Sequence, residues 1–491
     1  MRILGPDGQP LSSNPQPSEE VRMAVEQAKA LAQSGDLQNA LQQMTFVFQQ
    51  DIVSDLVIDT TISLLSQISQ ITGADAETPT VAPDGSPMPP TELQLFKAVQ
   101  QDRQNVVAYY QLGNRFAQLG QPIMAYPFLN RTAELLKPML PADLSQANQE
   151  LVQLKQACDV DTAQVKMDMG DYSGALEAFH ALNDVYGGLP IWLLMELAEC
   201  YALLGQIDEA DAVYELSTQE ATAAFPGMEE VREEVGDLLA RVRDYEDLTK
   251  LNLRAWHYIQ TRAMLIESNP DENVPGERFV FWQPSEEDIA WVVGITAALL
   301  DAKELGPNRI LWHGPSSEPL ARLFAQWWEV DEVRAYVPGD NSEDSDVLSL
   351  LCMAHSYDIQ DEETLMDLAV ARPGMITFAL DLRWTERQPL TPDIAGFMTQ
   401  MCNLPWETRL QLSESESDPP TLIEETREPQ QIAEEIAAQF AENAELDSAA
   451  KEVLDEYENC TDVILDHRDS SLMRRPLPLH SPIKSPRFGV I

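Results

Sequence analysis

The sequence predicts an α + α/β protein, in which an N-terminal α-solenoid precedes a small three-layer α/β domain, an acidic helix and an extended tail. Two observations support this fold class. A pattern of small residues recurs four times in the first half of the chain. In the second half, short apolar runs alternate with segments of helical periodicity, which is typical of parallel strands joined by crossover helices.

The recurring pattern is a small residue, a glycine seven positions later and an alanine five positions after that glycine. In chain order the four copies are Ala28, Gly35 and Ala40; Gly113, Gly120 and Ala125; Ala163, Gly170 and Ala175; and Ala198, Gly205 and Ala210. Small residues let two antiparallel helices cross closely, and glycine permits a turn with positive φ between them. The pattern therefore predicts four helical hairpins.

These hairpins resemble the tetratricopeptide repeat (TPR) over roughly residues 19–266. The period of that family is about 34 residues, and Gly170 and Gly205 are 35 residues apart. Gly120 and Gly170 are 50 residues apart, which indicates a longer helix or loop near residues 137–146. The resemblance implies a superhelical scaffold whose concave face binds proteins or peptides; a generic helical bundle is the alternative.

Composition and periodicity together divide the whole chain into segments. The predicted segments are a disordered N-terminus (1–18), TPR-like hairpins (19–72), a Pro-rich linker (73–91), the main solenoid (92–268), a Rossmann-like α/β domain (278–412), an acidic linker (413–428), a helical segment (429–460) and a basic, Pro-rich tail (461–491). The tail could bind the acidic body of its own or another copy, present a linear motif to a partner, or be disordered without function.

The charge balance restricts the partners. The chain has 81 acidic and 32 basic residues, a formal net charge of -49. Nucleic acids and anionic membranes are therefore not expected partners, because phosphate binding needs positive charge. An acidic surface favours basic or apolar peptide segments. The acidity is either a general bias of a salt-adapted proteome or a specific surface for basic partners.

The sequence shows no targeting segment and no metal-binding motif. The polar, turn-rich start and the lack of long apolar runs predict a cytoplasmic protein without a membrane segment. The five cysteines are isolated and are expected to be reduced thiols. The six histidines are scattered, and their spacing predicts no metal site.

The second half predicts strands at 278–282, 309–313, 333–337 and 375–382, and helices at 285–305, 318–328, 345–358, 361–373 and 429–458. In parallel sheets, ligands bind beyond the carboxyl ends of the strands. The turn "HGPSSEP" (313–319) follows such a strand. The candidate cofactor-binding residues are His313, Gly314, Ser316 and Ser317, with Asp340 after the next strand. Serine hydroxyls and free helix amides suit an anionic or hydroxylated group.

Other features oppose a cofactor in this turn. Gly314 is the only glycine of a possible GxGxxG fingerprint, and no lysine for a phosphate loop occurs between Lys303 and Lys451. Glu318 would repel a phosphate. In the alternative interpretation, Ser316 or Ser317 caps the next helix, and a proline occupies its first turn.

Residues 310–340 resemble the first strand, loop, helix and second strand of class I methyltransferases, which implies S-adenosylmethionine as cofactor. The glycine-rich loop of that family is largely missing, and Val337 and Pro338 replace the acid expected after the second strand. Of the remaining polar residues, His355 is expected at a helix end. Asp381 and Arg383 are interpreted as one salt bridge at the sheet rim, or alternatively as ligand contacts.

The function predicted from these patterns is a cytoplasmic scaffold or adaptor that binds proteins through the repeats. It has no cofactor, its α/β domain is not catalytic, and its tail is a possible site of self-association. The alternative is a transferase whose repeats select a protein substrate. In that case S-adenosylmethionine-dependent methyl transfer is favoured over glycosyl transfer, because about 135 residues are too few for a two-domain sugar transferase.

Overall fold

The computed structural model describes residues 17–35, 37–72, 90–141, 147–221, 228–245, 248–267, 279–339, 347–359, 362–368, 374–383, 390–407, 409–411, 421–423, 425–440, 446–458, 460, 463 and 465. The predictions for residues 1–16, 73–89 and 466–491 lie outside the described residues. The chain divides into two compact units between Leu193 and Leu194. None of the described helices has both the length and the apolar character needed to cross a membrane.

The described part of the first unit is helical. Its helices are α1 (Glu19–Gln33), α2 (Leu37–Gln50), α3 (Asp55–Thr72), α4 (Glu92–Gln101), α5 (Val106–Gln118), α6 (Pro122–Leu136), α7 (Gln149–Asp168) and α8 (Tyr172–Tyr186); α9 (Ile191–Leu203) begins in this unit and ends in the second. The N-cap residues of α1, α4 and α5 are Ser18, Thr91 and Asn105, and their side chains accept hydrogen bonds from backbone amides of the first turn.

The turns of the repeated pattern have the backbone geometry that glycine favours. Gly35, Gly120 and Gly170 have φ angles of 90°, 69° and 72°, and Gly205, in the second unit, has 75°. The alanines of the pattern are completely buried: Ala28, Ala40, Ala125, Ala163, Ala175, Ala198 and Ala210. A Cβ atom at Gly113 would lie 2.7 Å from Cγ of Leu129. Helices α5 and α6 therefore cross too closely for a larger side chain there.

Aromatic side chains fill the core of the first unit. The ring of Phe128 contacts those of Phe48, Phe96 and Phe116, with centroid distances of 5.5 to 5.8 Å. All four side chains are buried. Because these contacts join α2, α4, α5 and α6, one apolar cluster holds successive helices of this unit together.

The second unit combines helices with a sheet. Its further helices are α10 (Ile207–Ala221), α11 (Met228–Arg243), α12 (Leu253–Thr261), α13 (Glu286–Ala302), α14 (Glu318–Trp328), α15 (Glu362–Leu368), α16 (Pro429–Ala437) and α17 (Leu446–Tyr457). Its strands are β1 (Met264–Leu265), β2 (Phe279–Trp282), β3 (Arg309–His313), β4 (Val333–Ala335), β5 (Ser349–His355), β6 (Met375–Arg383), β7 (Ile394–Cys402), β8 (Arg409–Gln411) and β9 (Thr421–Ile423).

Seven strands form one sheet, and all strand pairs in the described part of it are parallel. The order is β4-β3-β5-β6-β7, and both β1 and β2 lie along the far side of β7. Strand β1 pairs with the start of β7, through Met264 and Ile394, and β2 pairs with its end, through Trp282 and Cys402. Strands β8 and β9 form a separate antiparallel pair. The strand order reverses at β3, which places a topological switch point between β3 and β5.

Helices cover both faces of this sheet. Phe378 of β6 packs against Phe324 of α14, with ring centroids 5.1 Å apart. The next residue, Ala379, points to the opposite face and belongs to a cluster that includes Leu365 and Leu368 of α15. The described residues therefore have the layers expected of an α + α/β protein.

Two predicted elements are wrong. Residues 345–358 were expected to form a helix, but Ser349–His355 form β5, which is followed by a 3-10 turn at Ser356–Asp358. Every residue of β5 is buried, and a short, mostly apolar run has no periodicity that separates strand from helix. Strand β9 lies in the segment predicted as a solvated acidic linker, where it pairs with β8.

The division of the chain also differs from the predicted segments. The two units separate within α9, not near residues 268–278. Helix α12 joins the second unit because Arg254 pairs with Glu456 of α17 at 2.9 Å, and Tyr457 Oη accepts a hydrogen bond from the Leu265 amide at 2.9 Å. The helical segment at 429–460 contains α16 and α17, which pack on α14 and α13.

Candidate functional site

Several polar residues of the second unit lie close together where β3, β5, β6 and β7 end. The turn after β3 includes Ser316 and Ser317, and β5 and β6 contribute His355 and Asp381. Glu407 follows β7. Because the strands are parallel, their carboxyl ends meet at one edge of the sheet, next to the switch point. This edge is the candidate site.

The four candidate cofactor-binding residues of the predicted turn, His313, Gly314, Ser316 and Ser317, make different contacts. Gly314 has a φ angle of 92°, and a Cβ atom there would collide with the carboxylate of Asp358. The half-buried ring of His313 lies 6.4 Å from the ring of Tyr336, almost perpendicular to it. Asp340 lies outside the described residues.

The serines of this turn do not cap α14 with their side chains. Ser317 occupies the N-cap position without a capping hydrogen bond, and its buried Oγ accepts a hydrogen bond from the amide of Ala354 at 2.7 Å. Ser316 Oγ donates to Glu407 Oε1 at 2.6 Å. Ser317 therefore has the predicted N-cap position without the capping hydrogen bond, and Pro319 is in the first turn of the helix as expected.

Glu407 connects the turn with His355. Its Oε1 atom lies 2.9 Å from His355 Nε2, and its Oε2 accepts a hydrogen bond from the amide of Leu404 at 2.9 Å. The indole N–H of Trp406 donates to the carbonyl oxygen of Ser316 at 2.9 Å. The loop after β7 is therefore attached to the turn after β3 by both side-chain and backbone groups.

His355 lies at the end of a strand, not at a helix end as predicted. Its Nδ1 atom lies 3.2 Å from Asp381 Oδ2, so the buried imidazole contacts a carboxylate on each side. Burial alone would lower the pKa of His355, but hydrogen bonds with Asp381 and Glu407 outweigh it and raise the pKa to about 9. Burial raises the pKa of Glu407, but hydrogen bonds from His355 and Ser316 hold it below the usual range.

Asp381 has two partners on neighbouring strands. Besides His355, it accepts a hydrogen bond from Thr399 Oγ1 to its Oδ1 at 2.6 Å. The guanidinium of Arg383 lies 3.8 Å from the ring centroid of Tyr357, and this ring stacks on His355 at 4.9 Å. The favoured interpretation, one salt bridge between Asp381 and Arg383, is therefore wrong: Asp381 pairs with a histidine.

A thiol completes the cluster. Donor atoms of His355, Asp381 and Cys402 all lie within 4.8 Å of one another, and all three side chains are buried. Burial raises the pKa of the Cys402 thiol far above its usual range. The thiol is therefore neutral at physiological pH unless a cation lies beside it.

A cleft of about 560 Å³ opens next to this cluster. Its lining includes Ser316, Glu318, Glu407, Glu425 and Arg427. The guanidinium of Arg427 pairs with Glu425 and with Glu286, each at 2.7 Å, and so holds the pKa of Glu425 at about 2. The carboxylates outnumber the one arginine, so the cleft suits a cationic or neutral group better than a phosphate.

Sequence reasoning did not identify Glu407 or Thr399 as site residues, and it treated Cys402 only as an isolated thiol. The one local signal was a threonine inside the apolar run "IAGFMTQMC" of β7. The distances along the chain between Ser316, His355, Asp381 and Glu407 hide their proximity.

Comparisons with known proteins identify no family. No family model matches the chain, and no curated protein matches it. Among solved structures, one match comes from a functional characterization of pilF of Pseudomonas aeruginosa. It is 15% identical, covers 46% of this chain and 85% of that chain, and has a TM-score of 0.24. A score this low carries no argument about fold or function.

Proposed function

We propose that this protein is a scaffold that binds protein partners through its helical hairpins. The repeated hairpin geometry carries the proposal: the same glycine turn and the same buried alanine recur at Gly35, Gly120 and Gly170 in the first unit. Stacked helix pairs of this kind present extended surfaces for protein partners. The resemblance of the sequence pattern to TPR proteins supports the same class of function.

The proposed partners are proteins or peptides with basic or apolar segments. The net charge of -49 favours basic partners and disfavours nucleic acids and anionic membranes. Val107, Leu119 and Val185 expose 48%, 48% and 50% of their surface on the first unit and provide apolar contacts. Self-association through the basic tail is a further part of the proposal.

The test compares two variants of the full chain in affinity capture with quantitative mass spectrometry. In the first, Val107→Asp and Leu119→Asp add charge to the repeat surface. In the second, the matched control, Val337→Asp adds charge at a residue of the second unit that is 56% exposed. We expect specific partners to be lost from the first variant and kept by the second. Identical partner sets for both variants and the native chain would exclude this repeat surface as the binding face.

The second candidate is a transferase, with S-adenosylmethionine-dependent methyl transfer ahead of glycosyl transfer. The cleft of about 560 Å³ beyond the carboxyl ends of β3 and β7 favours it. A ligand at 100 times its Kd stabilises a protein by about 2.7 kcal/mol. A rise in the melting temperature of the full chain with adenosylmethionine, absent with adenosine, would support methyl transfer. An unchanged melting temperature at millimolar ligand would argue against it.

A further inference from the structure

The cluster behind the cleft has the composition and geometry of a metal site, and we propose that His355, Asp381 and Cys402 bind a divalent transition-metal ion of the zinc class. This inference goes beyond the proposed scaffold function and does not depend on it. The three side chains come from the ends of β5, β6 and β7 and are all buried.

The distances suit one shared ion. Zinc lies about 2.0–2.3 Å from nitrogen, oxygen and sulfur ligands, so ligand atoms of a tetrahedral site are about 3.3–3.8 Å apart. The His355 Nδ1 and Asp381 Oδ2 atoms are 3.2 Å apart, and all three donor atoms lie within 4.8 Å of one another. The upper bound of 4.8 Å exceeds the tetrahedral spacing by about 1 Å, so we infer that side-chain movements of that size bring all three donors to bonding distance.

The surrounding contacts match those that orient metal ligands. A histidine that binds a metal through one ring nitrogen normally donates its other N–H to a carboxylate, a backbone carbonyl or a water molecule. His355 Nε2 faces Glu407 Oε1 at 2.9 Å, while Nδ1 faces the cluster. Thr399 Oγ1 donates to Asp381 Oδ1 at 2.6 Å, and this leaves Oδ2, which lies beside His355 Nδ1, for the ion.

The donor set indicates the class of ion. One imidazole, one carboxylate and one thiol suit zinc or cobalt, whereas magnesium and calcium prefer oxygen ligands alone. Three protein ligands leave one coordination position for water or a ligand. On binding, the Cys402 thiol and His355 Nδ1 each release a proton to solvent, because the ligands are a thiolate and a neutral imidazole. Because the ligands lie on three adjacent strands, the ion would tie the strand ends together and stabilise the second unit.

The experiment uses the full chain, freed of metal with a chelator and then titrated with zinc and cobalt. We expect one ion per chain, a higher melting temperature with zinc, and a thiolate-to-cobalt charge-transfer absorption. Cys402→Ala should abolish the absorption and weaken zinc binding by at least 100-fold. Cys352→Ala is the matched control. Cys352, in β5, is a buried cysteine like Cys402 but does not belong to the cluster.

Glu407→Gln keeps the three ligands and provides a second test of zinc binding if Cys402→Ala fails to fold. It should bind zinc 10- to 100-fold more weakly, because the partner of the ligating histidine loses its charge. Three results would overturn the proposal: no zinc bound by the native chain, a cobalt complex without the thiolate absorption, or equal affinities of the Cys402→Ala and Cys352→Ala variants.

Discussion

The aromatic core of the first unit and the carboxyl edge of the sheet in the second unit bury side chains in opposite ways. Around Phe128, apolar rings remove surface from water and need no specific charge state. Around His355, a buried imidazole lies between the carboxylates of Asp381 and Glu407. The first region should therefore respond to lost volume, and the second to pH and to cations.

The largest expected effect tests the aromatic core. Phe128→Ala removes the ring that contacts three other phenylalanines and should lower the free energy of unfolding of the first unit by about 3–5 kcal/mol. Urea denaturation followed by circular dichroism measures this loss at several pH values. Leu119→Ala, at an exposed position, is the control and should change stability by less than about 0.5 kcal/mol. A loss that varies strongly with pH would contradict the description of this core as purely apolar.

The second prediction concerns His355 at the carboxyl edge of the sheet, in protein freed of metal. The pKa of His355 rises from 6.5 to about 9 on folding, so the folded state binds this proton more tightly than the unfolded state. The resulting stability, about 3 kcal/mol, is complete below pH 6.5 and is lost as the pH rises through about 9. We expect His355→Gln to remove this part of the pH dependence in urea denaturation with a chelator present. Equal slopes for the variant and the native chain would refute it.

The third prediction concerns a histidine that is buried, as His355 is, but has no carboxylate partner among the described residues. His257 of α12 is completely buried, and both its ring nitrogens lack a hydrogen-bond partner within the described part of the chain. Burial lowers its pKa from 6.5 to about 3. Its charged form is favoured only in the unfolded state, so stability falls as the pH drops below 6.5, by about 2 kcal/mol at pH 5. His257→Leu should flatten this acid limb of the stability curve, and an unchanged acid limb would contradict the prediction.

The smallest effect concerns the hairpin turns. Gly120 has a φ angle of 69°, and the left-handed conformation costs other residues about 1–2 kcal/mol. Gly120→Ala should therefore destabilise the first unit by about that amount in urea denaturation. Gln121→Ala, at the exposed neighbouring position, is the control and should be nearly neutral. Similar values for the two variants would show that this turn does not require glycine.

Local patterns explain why parts of the fold were predictable. The glycine turns and buried alanines of the hairpins depend on residues within about one helical turn or one loop, so their spacing is visible in the sequence. The start of α13 is similarly local, because Ser285 and Asp288, three residues apart, form a capping box. The prediction was wrong for β5 because its run "SLLCMAH" contains good helix formers. Pairing with β3 and β6 decides that this run is a strand.

The site was predictable only in location. The rule that ligands bind at the carboxyl ends of parallel strands indicated the turn at 313–319. The contacts of that turn depend on Glu407, which is 91 residues from Ser316, and no pattern in one sequence relates them. The pairing of His355 with Asp381 follows from the register of β5 and β6, which the mistaken helix at 345–358 concealed.

The two edges of the sheet have a consequence for how copies of the chain interact in a crowded solution. One edge is β4, which has three residues, and the other is shared by β1 and β2, which have two and four residues. Long unpaired edges invite strand exchange and fibril growth between molecules, and short ones offer little backbone for it. The divided edge along β7 therefore protects this parallel sheet against aggregation.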